Sequence, residues 1–195
     1  MANIWFWGMV FLVICQRIAE LRLASINANW IRKQGGYEVG QKHYPLLVGI
    51  HTLFFFSLIF EVQFRNASPP SWWYLPFFLF LVAQGLRIAC LRSLGPYWNT
   101  RIFVVPGSSP VSRGPYRFLR HPNYVVVITE ILSLPLIFGA YGTAVLFSAL
   151  NLLVLLGIRI PIEEEALGKA TSYYQEMGDR RRLFPRIDRS NRSNS

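Results

Sequence analysis

Two short stretches hold residues whose types and spacing could do chemistry. Residues 114–124 read GPYRFLRHPNY and bring Tyr116, Arg117, Arg120, His121, Asn123 and Tyr124 together. Residues 159–167 read RIPIEEEAL, in which Arg159 is followed by Glu163 and Glu164. An imidazole, aromatic faces, guanidinium groups and a carboxylate pair around one pocket suit a ligand with a sugar, a heteroaromatic ring and a positive charge. Carboxylates accept from ribose hydroxyls or an amine, and aromatic faces attract a cation. Each stretch also has a plainer reading. Tyr and Arg settle at membrane interfaces, and a run of glutamates favours a helix N-terminus. What makes the pair informative is that the two stretches sit at the two ends of one apolar segment.

The elements that must position them follow from hydropathy. Of 195 residues, 52% are hydrophobic and only 15% charged, too apolar for an ordinary soluble domain. Apolar runs over residues 4–23, 44–62 and 72–91 are each long enough to span a bilayer. Residues 121–158 hold only Glu130 among acidic and basic side chains other than histidine, and suffice for two short spans joined by a turn at FGAYG, 138–142. The expectation is an all-α integral membrane protein. It has five transmembrane helices, the last two a helical hairpin, followed by a cytoplasmic amphipathic helix over 163–177 that starts at Pro161. Residues 1–187 form a single membrane-embedded domain, and 188–195 read as a disordered tail.

The net charge is +10, but the basic residues do not form one stripe, so nucleic acid is not the expected partner. They fall in the loops 22–44 and 92–121 and after residue 159, while the opposite loops hold only Arg65. That alternation places the N-terminus outside and the C-terminus in the cytoplasm. Both chemistry-bearing stretches then share the cytoplasmic face, where anionic lipid lies against the basic loops. Cys15 and Cys90 lie in apolar runs and read as buried free thiols. No cysteine–histidine cluster signals a metal, and no P-loop, GxGxxG, HExxH or GxSxG occurs.

Polar groups inside spans are costly and face the bundle interior. They are His51, Glu61, Gln84, Arg87 and Glu130, with Arg17 and Glu20 three apart on the first helix. Arg87 and Glu130 suit a structural pair. Glu61 reads as interfacial. His51 and Glu130 are candidate substrate contacts.

The two blocks, in order and at hairpin spacing, resemble the isoprenylcysteine carboxyl methyltransferase family. Its pattern, RHPxY and then RxxxEExxL, is met by Arg120, His121, Pro122 and Tyr124, then by Arg159, Glu163, Glu164 and Leu167. The upstream text HYPLLVGIHTLFFFSLIFE and LGPYWNTRIFVVPG resembles a bacterial subgroup associated with methylating alkylpyrones made by type III polyketide synthases. The resemblance implies S-adenosylmethionine as donor, bound by His121, Pro122, Tyr124, Glu163 and Glu164. It implies a lipophilic or prenylated acceptor and a bacterial plasma membrane as the location; among the residues, Arg120, or Arg87 deeper in the third span, is the charge expected to hold the acceptor's ionised head. The family often shows an FGxxY element after the glutamate pair. Here the region reads ATSYYQEMG, so Tyr173 or Tyr174 takes that place. Two other functions remain open on the residues: a nicotinamide-dependent reductase of a related membrane fold, with Arg180 to Arg182 as phosphate clamp, and a non-enzymatic membrane scaffold.

Overall fold

The computed structural model of the chain describes residues 2–65 and 67–183; the tail expected at 188–195 lies outside them. Seven α-helices and one two-stranded sheet make up the fold. Four helical stretches are long and apolar enough to cross a membrane: Ile4–Lys33, Gln41–Phe64, Tyr74–Tyr97 and Tyr141–Ala170. A shorter apolar helix, Pro122–Ile137, lies between the last two in sequence. The protein is a mostly helical integral membrane protein.

Helix α1, Ala2–Lys33, is longer than expected. At 1.5 Å per residue it measures about 48 Å, beyond the roughly 30 Å hydrocarbon core. Nothing in LASINANWIRK breaks a helix, so α1 continues past residue 23 until Gly35, whose φ of 78° only glycine adopts freely. Its last third is held by packing. Ala24, Ala28 and Ile31 are buried. Asn27 Nδ2 donates to the Trp98 carbonyl at 2.7 Å, and Asn99 Nδ2 to the Ala24 carbonyl at 2.8 Å. The loop expected over 22–44 shrinks to a connector carrying strand β1, Tyr37–Val39, which pairs antiparallel with β2, Ile102–Val104. This ribbon and an isolated parallel bridge between Leu119 and Arg181 are the β pairings among the described residues.

Helices α2, Tyr44–Phe64, and α3, Tyr74–Leu94, pack with α4, Pro122–Ile137, and α5, Tyr141–Val154. The turn between α4 and α5 falls where FGAYG lies. Gly139 has φ 73°, and a Cβ there would lie 2.3 Å from the Ser68 carbonyl oxygen, so both its conformation and its neighbour require glycine. Glu61 has a role beyond the interface. Its carboxylate accepts from the backbone N–H groups of Gly142 and Thr143 and from the Thr143 hydroxyl, at 3.0, 2.7 and 2.7 Å. It caps the N-terminus of α5 from a different helix.

No new helix starts at Pro161. Instead α5 passes through a π-helical turn, Leu155–Arg159, into α6, Ile160–Ala170. In that turn the Ile160 N–H reaches back five residues to the Leu155 carbonyl. The wider turn removes the conflict a proline creates with the regular ladder. The expected helix over 163–177 is likewise two pieces. Thr171 Oγ1 donates to the Leu167 carbonyl at 2.7 Å and accepts from the Tyr173 N–H at 3.2 Å, a local side-chain pairing that competes with the helix. The chain restarts as α7, Tyr173–Met177.

The two ends of the bundle differ. Trp5 meets Trp73 and Phe77 edge-on, and Trp72 lies against Tyr141, with centroids 5.5–6.4 Å apart; this end is an aromatic belt. The basic residues of 113–120, Lys169 and 180–182 gather at the other. The core is also divided. A large apolar cluster around Phe6, Phe54, Leu58, Leu134 and Phe138 fills the aromatic half. A small one, Cys90, Tyr116, Tyr173 and Met177, lies at the basic end. Cys90 is buried as expected, whereas Cys15 is exposed on α1.

Candidate active site

A cavity of about 440 Å³ lies among these helices and beneath the 97–111 segment, within the range of small-molecule sites. At the basic end its wall is the RHPNY block facing the start of α6. Pro122 opens α4, where its missing N–H costs nothing. His121 and Tyr124 stack, with centroids 5.3 Å apart. The Tyr124 hydroxyl donates to Glu163 and accepts from Arg159 Nε at 3.0 Å, and Arg159 Nη2 reaches the Thr100 carbonyl at 2.7 Å. Helices α4, α6 and the 97–104 segment are thereby tied at one point. The segment after α7 completes this end. The Arg181 carbonyl accepts from the Arg120 N–H and the Arg182 carbonyl from the His121 N–H, each at 3.0 Å.

The two glutamates divide their labour. Glu163 lies on the cavity wall, and Glu164 lies behind it. The Glu164 carboxylate is buried and accepts from His121 Nε2 at 3.0 Å, pairs with Arg120 Nη1 at 3.1 Å and with Arg182 Nη2 at 2.7 Å. With three cationic or donor groups already on it, its place is to hold His121 and Arg120. Pro122 also lies outside the lining; its position is one of helix geometry.

The deep end is a charged cluster inside the bundle. Arg87, 2% exposed, donates through Nε to Glu130 Oε1 at 3.1 Å, through Nη1 to Glu20 Oε2 at 3.1 Å, and through Nη2 to Glu130 again. Arg17 bridges the same carboxylates, at 2.6 Å to Glu20 and 2.5 Å to Glu130. Gln84 and Gln16 take further carboxylate lone pairs. Two guanidinium groups thus face two carboxylates, a neutral set. Arg17, Glu20 and Arg87 line the cavity; Glu130, expected as a substrate contact, is behind them. Arg87 gives three of its five N–H groups to Glu20 and Glu130, so the charge expected to hold an ionised head is already matched by carboxylates of the protein. His51, on α2, lines the cavity.

Most buried polar groups of a native protein are paired, because an unpaired one costs about 1–3 kcal/mol. Among the described residues, buried side-chain atoms without a partner fall on Trp98, Arg120, Asn123, Asn151 and Tyr173, and also on Ser133 and Ser148. The first five all line this cavity. Donors and acceptors are both represented: Trp98 Nε1 and Arg120 Nε, Asn123 Oδ1, and both ends of the Asn151 amide. Burial, then the neighbouring carboxylates of Glu163 and Glu164, pushes the Tyr173 phenol well above its usual range, so it is a protonated donor at neutral pH. Tyr173, not Tyr174, faces the cavity; the Tyr174 ring lies over Gly168, where a Cβ would meet it at 2.1 Å. Sequence reasoning missed Trp98 and Asn151. The rule that flagged His51 and Gln84, a polar group inside an apolar run, applies equally to Asn151.

The cavity also reaches the side of the bundle. Leu21 of α1 and Val48 of α2 belong to its lining, yet are 50% and 46% exposed. The cavity therefore has a lateral opening between α1 and α2, within the stretches of both helices that are long and apolar enough to cross a membrane.

Helices long and apolar enough to cross a membrane, packed around a cavity with one polar end, define an integral membrane protein with an internal cavity. Residues 75–169, from α3 through α6, match the isoprenylcysteine carboxyl methyltransferase family. An uncharacterized protein of Bacillus subtilis strain 168, YpbQ, is 48% identical over 162 residues, covering 83% of this chain and 96% of that protein. An uncharacterized protein of Haemophilus influenzae is 25% identical over 156 residues, 80% of this chain and 90% of that one. The chain belongs to the isoprenylcysteine carboxyl methyltransferase family, and is by membership a membrane methyltransferase.

Proposed function

We propose that the protein transfers a methyl group from S-adenosylmethionine to an oxygen of a lipophilic acceptor. The acceptor is an alkylpyrone or alkylresorcinol hydroxyl in preference to an isoprenylcysteine carboxylate, a preference that rests on the resemblance of the upstream text to the bacterial subgroup. The observation that carries the reading is the convergence of unpartnered buried donors and acceptors on one cavity. They fit a ligand rich in both. Glu163 suits ribose hydroxyls or an amine, the stacked His121 and Tyr124 rings an aromatic base or a cation, and Asn123, Arg120 and Tyr173 the remaining polar edge. When bound, the donor supplies an activated sulfonium methyl, so the chain's part is chiefly positioning. The lateral opening suits an acceptor whose tail stays in lipid while its head enters the cavity. Against the reductase alternative, Arg182 is held by Glu164, and Arg180 Nη1 by the Tyr116 carbonyl at 2.6 Å, so two of the three arginines of that run are committed to structure.

S-adenosylhomocysteine binding by calorimetry tests the reading. A charged hydrogen bond to ligand is worth about 1.5–3 kcal/mol, roughly ten- to a hundredfold in affinity. Glu163→Gln is expected to weaken binding on that scale. NADPH binding in place of S-adenosylhomocysteine overturns the assignment, and unchanged affinity in Glu163→Gln removes that carboxylate from the donor end.

The same reading includes five spans, with α4 as the fourth and α5–α6 as the fifth, the N-terminus outside and both cavity-forming blocks on the cytoplasmic side of the plasma membrane. The aromatic belt at one end and the basic residues at the other support it. In a Cys15→Ser background, Ser109→Cys and Lys169→Cys are expected to resist a membrane-impermeant thiol reagent in intact cells and to react after permeabilisation. Labelling of either from outside overturns the topology.

A further inference from the structure

We propose that His51 is the general base of the reaction, taking the proton of a neutral acceptor hydroxyl; this rests on the methyltransferase reading of the cavity. His51 Nδ1 lies 2.8 Å from the Leu47 carbonyl, one turn earlier on α2. A carbonyl oxygen has no proton to give, so the bond forms only with the proton on Nδ1. The neutral ring then carries its lone pair on Nε2, and that atom has no hydrogen-bond partner among the described residues. The ring is on the cavity wall. A helix has thus fixed the tautomer of a ring that lines the cavity and left its basic nitrogen unpaired.

The charges around His51 decide what it meets. Arg17 and Glu20 of α1 and Arg87 of α3 share the cavity wall with it, Glu130 of α4 acts on it from behind them, and α5 contributes only the neutral Asn151 to the lining. The four charges cancel and are bonded to one another. The cluster carries no net positive charge to receive a carboxylate at this end, and a carboxylate would meet the Nε2 lone pair. A hydroxyl has the opposite polarity: its hydrogen meets the lone pair. As the acceptor O–H bond breaks, an N–H bond forms on Nε2 and the electron pair stays on oxygen. The oxygen takes the methyl carbon while the carbon–sulfur pair returns to sulfur. One proton per turnover is left on the imidazole and passes to water when product leaves. A neutral phenol such as an alkylresorcinol needs this help, whereas an acceptor already ionised in solution, such as the acidic enol of an alkylpyrone, does not.

The test uses a nitrophenol bearing an alkyl tail, whose phenolate absorbs in the visible. In the full-length protein with S-adenosylhomocysteine, the probe is expected to bind as phenolate at a pH below its solution value, and to His51→Gln as the neutral phenol. Methyl transfer to an unionised alkylphenol should fall about 10²–10⁴-fold in His51→Gln, and transfer to an acceptor already ionised in solution less than tenfold. Equal loss for both acceptors, an identical spectrum of the probe in both proteins, or loss of S-adenosylhomocysteine affinity in His51→Gln overturns the base assignment. Native protein that binds no S-adenosylhomocysteine refutes the site reading itself, a separate outcome.

Discussion

Glu130→Ala is expected to cost the protein about 3–5 kcal/mol, the loss typical of removing one member of a buried ion pair. The carboxylate holds both guanidinium groups of the cluster, and Glu20 alone cannot neutralise two cations at bilayer depth. The unfolding midpoint in nanodiscs, read from tryptophan fluorescence, should fall by on the order of 10 °C. Replacing the cluster as a unit tests the cause. Arg17→Leu, Arg87→Met, Glu20→Gln and Glu130→Leu together remove every charge, and the quadruple variant should be more stable than Glu130→Ala. A Glu130→Ala protein as stable as the native one would show that the cluster carries no net structural weight, and the account of Arg87 as a fixed wall would fail with it.

Acceptor tail length should be the second large effect. Each methylene withdrawn from water contributes about 0.8 kcal/mol, so shortening the tail by four carbons should lower kcat/KM by about two orders of magnitude, expressed against free aqueous acceptor. The lateral opening beside Leu21 and Val48 predicts where that energy is collected. Lipid chains are as apolar as leucine, so a tail left in the bilayer gains nothing further from the protein. Re-expressed per acceptor in the bilayer, the dependence should largely vanish for the outer part of the tail. Independence from tail length on the aqueous scale would overturn the lipophilic acceptor. Faster turnover of farnesyl-cysteine than of a matched alkylpyrone would overturn the preference between acceptors.

What could be read from the chain alone was local. Arg120, His121 and Tyr124 lie within five positions, and Arg159, Glu163 and Glu164 within six, so short-range chemistry announced itself. A hairpin then brought the blocks together. Which of two adjacent glutamates faces the ligand depends on helical phase, and the phase here is set by a turn that hydropathy does not reveal. Glu61 caps a helix 81 positions away, a pairing without any local pattern. Trp98 reaches the cavity from a segment with no periodicity, held there by Asn27 and Asn99 through backbone carbonyls. The length of α1 was underestimated because its last third is buried against protein, and a hydropathy boundary marks the edge of lipid, not the end of a helix.

The π-helical turn at Leu155–Arg159 has a consequence for alignment. A regular helix advances about 100° per residue, so Asn151 and Glu163, twelve residues apart, would point about 120° away from each other. One extra residue accommodated in a single turn retards everything after it by about 100°, and leaves the two side chains within about 20°. That is why an amide from the middle of the bilayer and a carboxylate from its edge share one wall. The widened turn behaves as a one-residue insertion whose rotation has been kept. Closing it to a regular helix would spare every functional side chain and the helix itself, and would still aim Glu163 elsewhere.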